Sequence, residues 1–285
     1  MRETDRDIDL ILNHLAEARG LDFSGCHADM LVQQIRRRLA ATACKDLCEY
    51  LACLQCDAAE QDHLIDAMTV NVSRFFRDAL TFELLAVRVL PDMVRRKAGA
   101  RNATLRVWSA GCARGEEPYS VAILLRELLE QDRATPPLHL FATDIDQRAL
   151  QEAREARYPL SSVEHMPHRL LTKYLTPEGD CFRLNPDVRA TVHFSFHDML
   201  DKRCAVPPES VFGAFDLVLC RNLLIYFNPE YQARIFAKLH RALARNGCLV
   251  LGEAEAPPAT LRHRFQRLFD SSPIYRKRQK GESEA

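Results

Sequence analysis

The sequence predicts an α/β fold: a doubly wound, mostly parallel sheet that follows a small all-helical N-terminal domain and carries a small inserted β-subdomain. Three observations lead there. Apolar residues recur at helical spacing as far as about residue 98. Short β-rich runs alternate with helical stretches from Leu105 onward, the pattern of a sheet covered on both faces. The first of those runs ends in a glycine turn that opens a helix, which is where such folds place a ligand.

Composition sets the outer limits. With 285 residues, 47% of them hydrophobic, the chain can fill one large domain or one large and one small. Lys plus Arg equals Asp plus Glu at 39 each, so no net field favours nucleic acid or an anionic membrane. No apolar run approaches the ~20 residues that cross a bilayer, and Met1 to Asp9 is charged rather than signal-like. A cytoplasmic protein without direct membrane insertion is expected.

The elements follow in order. Ile8, Ile11, Leu12 and Leu15 form one helical stripe that Gly20 can end, and Leu31, Ile35 and Leu39 form a second. Arg36, Arg37 and Arg38 follow on that helix; successive positions turn by ~100°, so the three cannot share one face. Cys44, Cys48, Cys53 and Cys56 have spacing from which four thiolates could close a zinc site. Leu47, Tyr50, Leu51 and Leu54 run an apolar stripe through the same stretch, however, and a helix fans the four thiols about its axis. No metal is expected, and the ten cysteines are read as reduced thiols. The segment Asn71-Val-Ser-Arg-Phe-Phe-Arg77 lies where the helical pattern gives way to the sheet domain.

Strands are predicted at Leu105–Ser109, Leu138–Thr143, Phe215–Cys220 and Cys248–Gly252, with helices near 118–131, 146–157 and 229–245. Tyr158 to Phe196 is longer than a normal crossover and has its own short runs at Cys181–Leu184 and Thr191–Phe196, which suggests an insertion. Phe269 to Arg276 is strand-like, and the polar tail after it is expected to fray. The resulting division is a helical domain at 1–75 and a sheet domain at 76–285, with the insertion at about 158–196.

Chemistry concentrates at the ends of the strands. In Arg106-Val-Trp-Ser-Ala-Gly-Cys-Ala-Arg-Gly-Glu-Glu-Pro-Tyr-Ser120, Gly111 and Gly115 let backbone approach a ligand, and Pro118 suits a first helical turn. Glu116 and Glu117 sit at the positive end of the helix dipole, where they would repel a phosphate. Asp144 ends the second strand, the place from which an acid binds ribose hydroxyls. That position serves nicotinamide and adenosyl cofactors alike; the turn separates them, because it departs from G-x-G-x-x-G and puts acid where a diphosphate would go. S-adenosylmethionine has no phosphate and does carry an ammonium. A third strand delivers Cys220-Arg221-Asn222 and, a turn later, Tyr226 to the same edge.

The four segments together, N-V-S-R-F-F-R, V-W-S-A-G-C-A-R-G-E-E-P-Y-S, A-T-D-I-D and C-R-N-L-L-I-Y-F, resemble the chemoreceptor glutamate O-methyltransferases of bacterial chemotaxis, the CheR family. The likeness runs from about Asp9 to Tyr275. It implies a helical receptor-recognition domain and a class I S-adenosylmethionine-dependent methyltransferase domain with an inserted β-subdomain. Its substrates would be glutamate side chains on the helical cytoplasmic region of chemoreceptors. Matched position by position, Asn71, Ser73 and Arg77 are cofactor contacts, Glu117 holds the methionine moiety, and Asp144 holds the ribose. Asp198 and Met199 lie beside the adenine, and Arg221 and Asn222 complete the pocket. Ser73 stands where many relatives have Thr, and Asp198 where some have Asn, so Asp198 can accept from the adenine amino group but cannot donate as an amide does.

The reaction implied is in-line methyl transfer to a carboxylate oxygen, with S-adenosylhomocysteine as product. An accessible Glu has a pKa near ~4.3, so no general base is required and catalysis consists of positioning and desolvation. Arg77 and Tyr226 match the family's catalytic pair as groups that orient the carboxylate; Arg77 can equally hold the cofactor's own carboxylate. The resemblance also implies that a basic surface on the helix bearing Arg36 recognises the acidic receptor region. The loop Leu175 to Arg183 is short and has one glycine, which points away from the C-terminal pentapeptide tether used by some relatives. The chain is expected to act as a monomer and to bind no nucleic acid, since it lacks an Asn/Asp-Pro-Pro-aromatic signature and a basic groove. A non-catalytic S-adenosylmethionine-sensing adaptor that docks to receptors is the alternative, and intact Arg77 and Tyr226 speak against it.

Overall fold

The computed structural model describes residues 3–69, 72–98, 104–130, 136–210 and 213–278. The chain separates into two compact units, Met1–Asn71 with Tyr226–Gln232, and Val72–Ile225 with Ala233–Ala285.

The first unit is helical: α1 (Glu3–Arg19), α2 (Ala28–Ala41), α3 (Leu47–Cys56) and α4 (Ala58–Met68). The predicted stripes form its core, with Ile11, Leu15, Leu31, Ile35, Tyr50 and Leu54 buried. Asp46 caps α3 by accepting from the Glu49 N–H (2.9 Å), and Asp57 caps α4 through the Ala59 N–H (2.8 Å), each satisfying a donor that a helix start leaves open. Cys48, Cys53 and Cys56 lie on α3, with Cys48 and Cys56 exposed, whereas Cys44 precedes the helix and is half-buried beside Cys53, so the four thiols do not fan about one helix. Among the described residues Glu60 is this unit's buried charge. Arg38 grips it with Nε and Nη2 (3.0 and 2.6 Å) and the Tyr50 hydroxyl donates to it (2.8 Å). The segment Tyr226–Gln232 joins this unit by backbone pairing: the His27 N–H donates to the Tyr226 carbonyl (3.0 Å) and the Asn228 N–H to the Gly25 carbonyl (2.8 Å).

The second unit opens with α5 (Ala79–Leu84), which continues through a π-helical turn at Leu85–Val89 into α6 (Leu90–Ala98). There follow β1 (Leu105–Ala110), α7 (Glu116–Leu129), β2 (Leu138–Asp144) and α8 (Gln147–Glu155). The inserted stretch holds β3 (Arg157–Pro159), α9 (Leu160–Val163), α10 (His168–Tyr174), β4 (Leu175–Glu178), β5 (Cys181–Leu184) and α11 (Pro186–Arg189). The unit closes with β6 (Val192–Phe196), β7 (Phe215–Cys220), α12 (Pro229–Ala242), β8 (Leu243–Leu251), β9 (Phe265–Phe269) and β10 (Ser272–Lys277).

Seven strands make the main sheet in the order β6-β2-β1-β7-β8-β10-β9. The first five run parallel, and β10 runs antiparallel to both its neighbours, β8 and β9. From β1 the chain winds outward through β2 to β6, then returns to β7 on the other side of β1. Strand order therefore reverses between β1 and β7, and the crevice outside their carboxyl ends is where ligands of such sheets bind. The central strands β1 and β7 are buried almost throughout: every residue of β7 is buried, which is why it reads as a continuous apolar run around a single Asp216.

Two further expectations need correction. Thr191–Phe196 was grouped with the insertion, yet Val192–Phe196 is a strand of the main sheet, in parallel register with β2 from Leu140↔Val192 to Asp144↔Phe196. Only β3, β5 and β4 form the separate small sheet. A five-residue run does not disclose its pairing partner, so sequence spacing alone put it on the wrong side of the boundary. The helix expected to reach 245 stops at Ala242, because Leu243 pairs with Phe215 and begins β8 early.

Candidate active site

The predicted residues at the carboxyl edge sit on a turn held by backbone bonds. The Gly111 and Cys112 N–H groups both donate to the Thr143 carbonyl (2.8 and 3.0 Å), which folds the end of β1 against the end of β2. Gly115 has φ +89°, and a Cβ there would stand 2.9 Å from the Ala153 Cβ and 3.1 Å from the Phe194 ring, so no other residue fits without displacement. Asp144 closes the turn: its carboxylate accepts from the Ala113 N–H (2.8 Å) and from the Asp146 N–H (3.0 Å). Burial pushes the Asp144 carboxyl above its ordinary value despite these bonds.

Glu117 lies on the first turn of α7. The Ser109 hydroxyl donates to one of its oxygens (2.7 Å) and Arg221 Nη1 to the other (3.1 Å). Burial raises this carboxyl too, outweighing Arg221 and Ser109. Arg221 has only 2% of its side chain exposed, and its Nη2 is shared between the Asp78 carboxylate and the Arg77 carbonyl, the latter at 2.9 Å. One guanidinium thus joins the loop after β7, the start of α7 and the segment before α5. Its plane lies over the Phe82 ring, 5.3 Å from the centroid.

Glu116 differs from its reading as a helix-start charge, for it is 1% exposed. The Ser162 hydroxyl donates to it at 3.3 Å, its Oε2 has no hydrogen-bond partner, and burial raises its carboxyl, opposed by weaker effects that include the Ser162, Arg114 and Ser73 side chains. Ser73 is half-buried. Its proximity to Glu116 is a link that the sequence did not suggest.

The loop after β6 is moored on both sides. The His197 N–H donates to the Asp144 carbonyl (3.0 Å), and the buried Lys238 donates through Nζ to the carbonyls of Asp198 (3.4 Å) and Asp201 (2.9 Å). Burial and the nearby Lys238 hold the His197 imidazole down to about 4, so it is neutral near pH 7. Met199 is buried, and the Asp198 side chain accepts from the Leu200 N–H (2.7 Å). Lys238 was missed in the sequence; a lysine in an otherwise amphipathic helix gives no sign that it faces inward.

Arg77 is half-buried, donates to the Val72 carbonyl (3.0 Å), and has no carboxylate partner among the described residues. Tyr226 ends the 3-10 turn Leu224–Tyr226 and belongs with the helical unit. Asn71 lies outside the described residues. Backbone strain gathers near the same segments: of seven non-glycine residues with positive φ among those described, Phe76, Ala113 and Asn222 fall in the predicted motifs and Asp78 directly follows one. Such conformations cost ~1 kcal/mol or more each and persist where the surrounding structure over-determines them.

The donor set can be tested against the expected cofactor. Glu116, Glu117 and Asp144 are all buried, and burial opposes ionisation at each. A ligand bearing a cation and hydroxyl groups relieves that cost, whereas a diphosphate adds to it. S-adenosylmethionine fits.

Comparison with known proteins agrees. A family model described as the CheR methyltransferase all-alpha domain matches residues 6–69, and one described as the CheR methyltransferase SAM binding domain matches residues 71–272. The chain is 31% identical over 287 residues to chemotaxis protein methyltransferase 2 of Vibrio cholerae, covering 99% of this chain and 96% of that one. It is 34% identical over 233 residues to the chemotaxis protein methyltransferase of Salmonella typhimurium, covering 80% and 75%. An uncharacterized 104.1 kDa protein of Rhodobacter capsulatus is 35% identical over 246 residues, which is 86% of this chain and 25% of that longer one.

Proposed function

The chain belongs to the CheR methyltransferase family, and from that premise we propose that it transfers a methyl group from S-adenosylmethionine to glutamate side chains of chemoreceptors, forming glutamate methyl esters. The observation that carries this reading is the pair of buried carboxylates at the β1–β2 edge, Glu117 compensated by a shared guanidinium and the Ser109 hydroxyl and Asp144 by two backbone donors. Glu117 takes the ammonium of the methionine moiety and Asp144 the ribose hydroxyls. Asn71, Ser73, Arg77, Asp198, Met199, Arg221 and Asn222 complete the cofactor's surroundings. When bound, S-adenosylmethionine supplies an electrophilic methyl group on a sulfonium and leaves as S-adenosylhomocysteine.

This chain's residues then have little proton chemistry to perform. The substrate carboxylate is already ionised near neutral pH, with a pKa of about 4.3, and needs only to be aligned and stripped of water. Arg77, whose guanidinium donates to the Val72 carbonyl and meets no carboxylate among the described residues, orients it together with the Tyr226 hydroxyl. A bidentate carboxylate partner on Arg77 would compete for that task, and the described residues supply none.

The helical unit, residues 1–75 by its sequence pattern, recognises the helical cytoplasmic region of the receptor. Arg36 and Arg37 are exposed on α2 and available to an acidic surface, whereas Arg38 is committed to Glu60. The protein acts in the cytoplasm as a monomer, without nucleic acid and without a C-terminal pentapeptide tether. No helix among the described residues is long and apolar enough to cross a membrane. Incubation with labelled S-adenosylmethionine and candidate receptors, followed by peptide mapping, tests the proposal: label on receptor glutamates supports it, and label on lysine, cysteine or nucleic acid refutes it.

A further inference from the structure

One buried carboxylate in the sheet unit is assigned to no step above. Glu255 follows β8, is 6% exposed, and accepts from four backbone N–H groups. Its Oε2 takes the Asn222 N–H (3.0 Å) and the Gly252 N–H (2.7 Å), and its Oε1 takes the Leu224 N–H (2.7 Å) and the Ile225 N–H (3.3 Å). Three of the four donors lie in the loop after β7, in a stretch that carries Asn222 in the left-handed region at φ +56° and leads directly into Tyr226. The fourth donor ties that loop to the end of β8.

A cluster of backbone N–H groups converging on one point is an anion-binding nest. Here the anion is the protein's own side chain. The geometry around it admits little else: a Cβ at Gly252 would stand 2.8 Å from Glu255 Oε2 and 2.9 Å from the Asn222 nitrogen, so glycine is needed where the strand passes the carboxylate. The Glu255 N–H also donates to the Gly252 carbonyl (3.0 Å), closing the turn that aims the side chain back. Without the carboxylate, four inward-facing N–H groups lose the acceptor that draws Asn222, Leu224 and Ile225 together.

We propose that Glu255 is the positioning residue of the methyl-transfer site: its carboxylate fills a four-amide nest and so fixes the loop that bears Arg221 and Asn222 on the cofactor side and runs on to Tyr226 on the substrate side. The inference rests on the methyltransferase reading above and deepens it. Glu255 touches neither cofactor nor substrate. It acts through the loop, so that both sets of groups depend on one acceptor.

The test uses the full chain with receptor-containing membranes. Glu255→Gln keeps size and shape but turns an amide NH2 towards two N–H donors. Turnover at saturating S-adenosylmethionine should fall by about tenfold or more, which is at least ~1.4 kcal/mol of barrier, with the circular dichroism spectrum unchanged. Glu255→Gly leaves the nest without its anion, and formate, a carboxylate small enough to enter, should restore turnover in a saturable manner; in Arg77→Ala the same formate should restore nothing. Gly252→Ala should lower turnover as well. Wild-type rates within twofold in both Glu255 variants would overturn the proposal. So would a loss in Glu255→Gly that tracks the unfolded fraction and does not respond to formate. If the wild-type protein itself transfers no methyl group, the functional reading fails instead. The nest is then still testable by calorimetry, as formate-dependent recovery of S-adenosylmethionine affinity in Glu255→Gly, and its absence there counts against the proposal.

Discussion

Glu60 in the helical unit and Glu117 in the sheet unit are built from the same parts and behave in opposite ways. Each is a buried glutamate, with 7% and 11% of its side chain exposed, and each meets one arginine and one hydroxyl. Burial opposes ionisation of both. At Glu60 the two bonds from Arg38 and one from Tyr50 together outweigh it, and the carboxyl ends below its ordinary value. At Glu117 a single bond from Arg221, a guanidinium shared with Asp78, does not suffice, and the carboxyl ends above it. Similar surface exposure therefore does not make the two alike, because Glu117 lies deeper and its partners do not offset that burial. The partners of Glu60 offset its burial and those of Glu117 do not, and under the proposed function the cofactor's ammonium would meet that remaining demand.

The strongest way to break this contrast is to neutralise each acid in turn. Glu117→Gln should weaken S-adenosylmethionine binding on the order of 100-fold in calorimetry, as expected when one partner of a buried charged contact is lost. Glu60→Gln should leave that affinity unchanged and instead lower the unfolding free energy of the protein by about 2 kcal/mol in urea titrations. Equal effects of the two substitutions on cofactor affinity would remove the distinction.

The contrast sharpens at the substrate side, where Arg77 and Tyr226 should divide binding from turnover. Arg77→Ala and Tyr226→Phe are expected to reduce methyl transfer by about 10- to 100-fold while cofactor affinity changes far less. Affinity lost in step with turnover would make either residue a cofactor ligand only. On the helical unit, Arg36→Glu with Arg37→Glu should slow receptor methylation roughly tenfold at low salt, and the deficit should shrink as ionic strength rises. Unaltered rates at low salt would dismiss α2 as the docking face.

The smallest effect concerns protons. Because the Glu117 and Asp144 carboxyls lie above their ordinary values, a bound cation that favours their ionised forms must displace protons as pH falls towards those values. Calorimetry in buffers of different ionisation enthalpy should register proton release that grows, and affinity that declines, on acidification. Glu60 runs the other way. Its depressed carboxyl contributes stability that is present above the ordinary value of 4.5 and is lost as pH falls through the lower folded value. Proton uptake on cofactor binding would reverse the sign assigned to the site.

Much of this was legible in the sequence, for a physical reason that differs from residue to residue. The stripes of α1 and α2, the glycine turn and the apolar run of β7 follow from local periodicity and backbone constraints. Asp144 draws attention by its place at the end of a strand, whereas Glu117, on the first turn of α7, is singled out from Glu116 by the family resemblance. What remained hidden depends on partners distant in the chain. The fate of Thr191–Phe196 was decided by pairing with β2, and the inward turn of Lys238 by carbonyls forty and thirty-seven positions away. The difference between Glu116 as a helix-start charge and Glu116 as a buried acid was set by Ser162, in an inserted stretch that local spacing could not fold. Arg38 likewise reads as one of three basic residues until Glu60 claims it.

The most direct test of the central claim is the chemical form of the transferred methyl group. Receptor-containing membranes incubated with the protein and labelled S-adenosylmethionine should acquire label that mild base releases as methanol, the behaviour of a glutamate methyl ester, and Arg77→Ala should acquire far less. Label that resists base, or S-adenosylmethionine binding with no label transferred to any receptor, would contradict it.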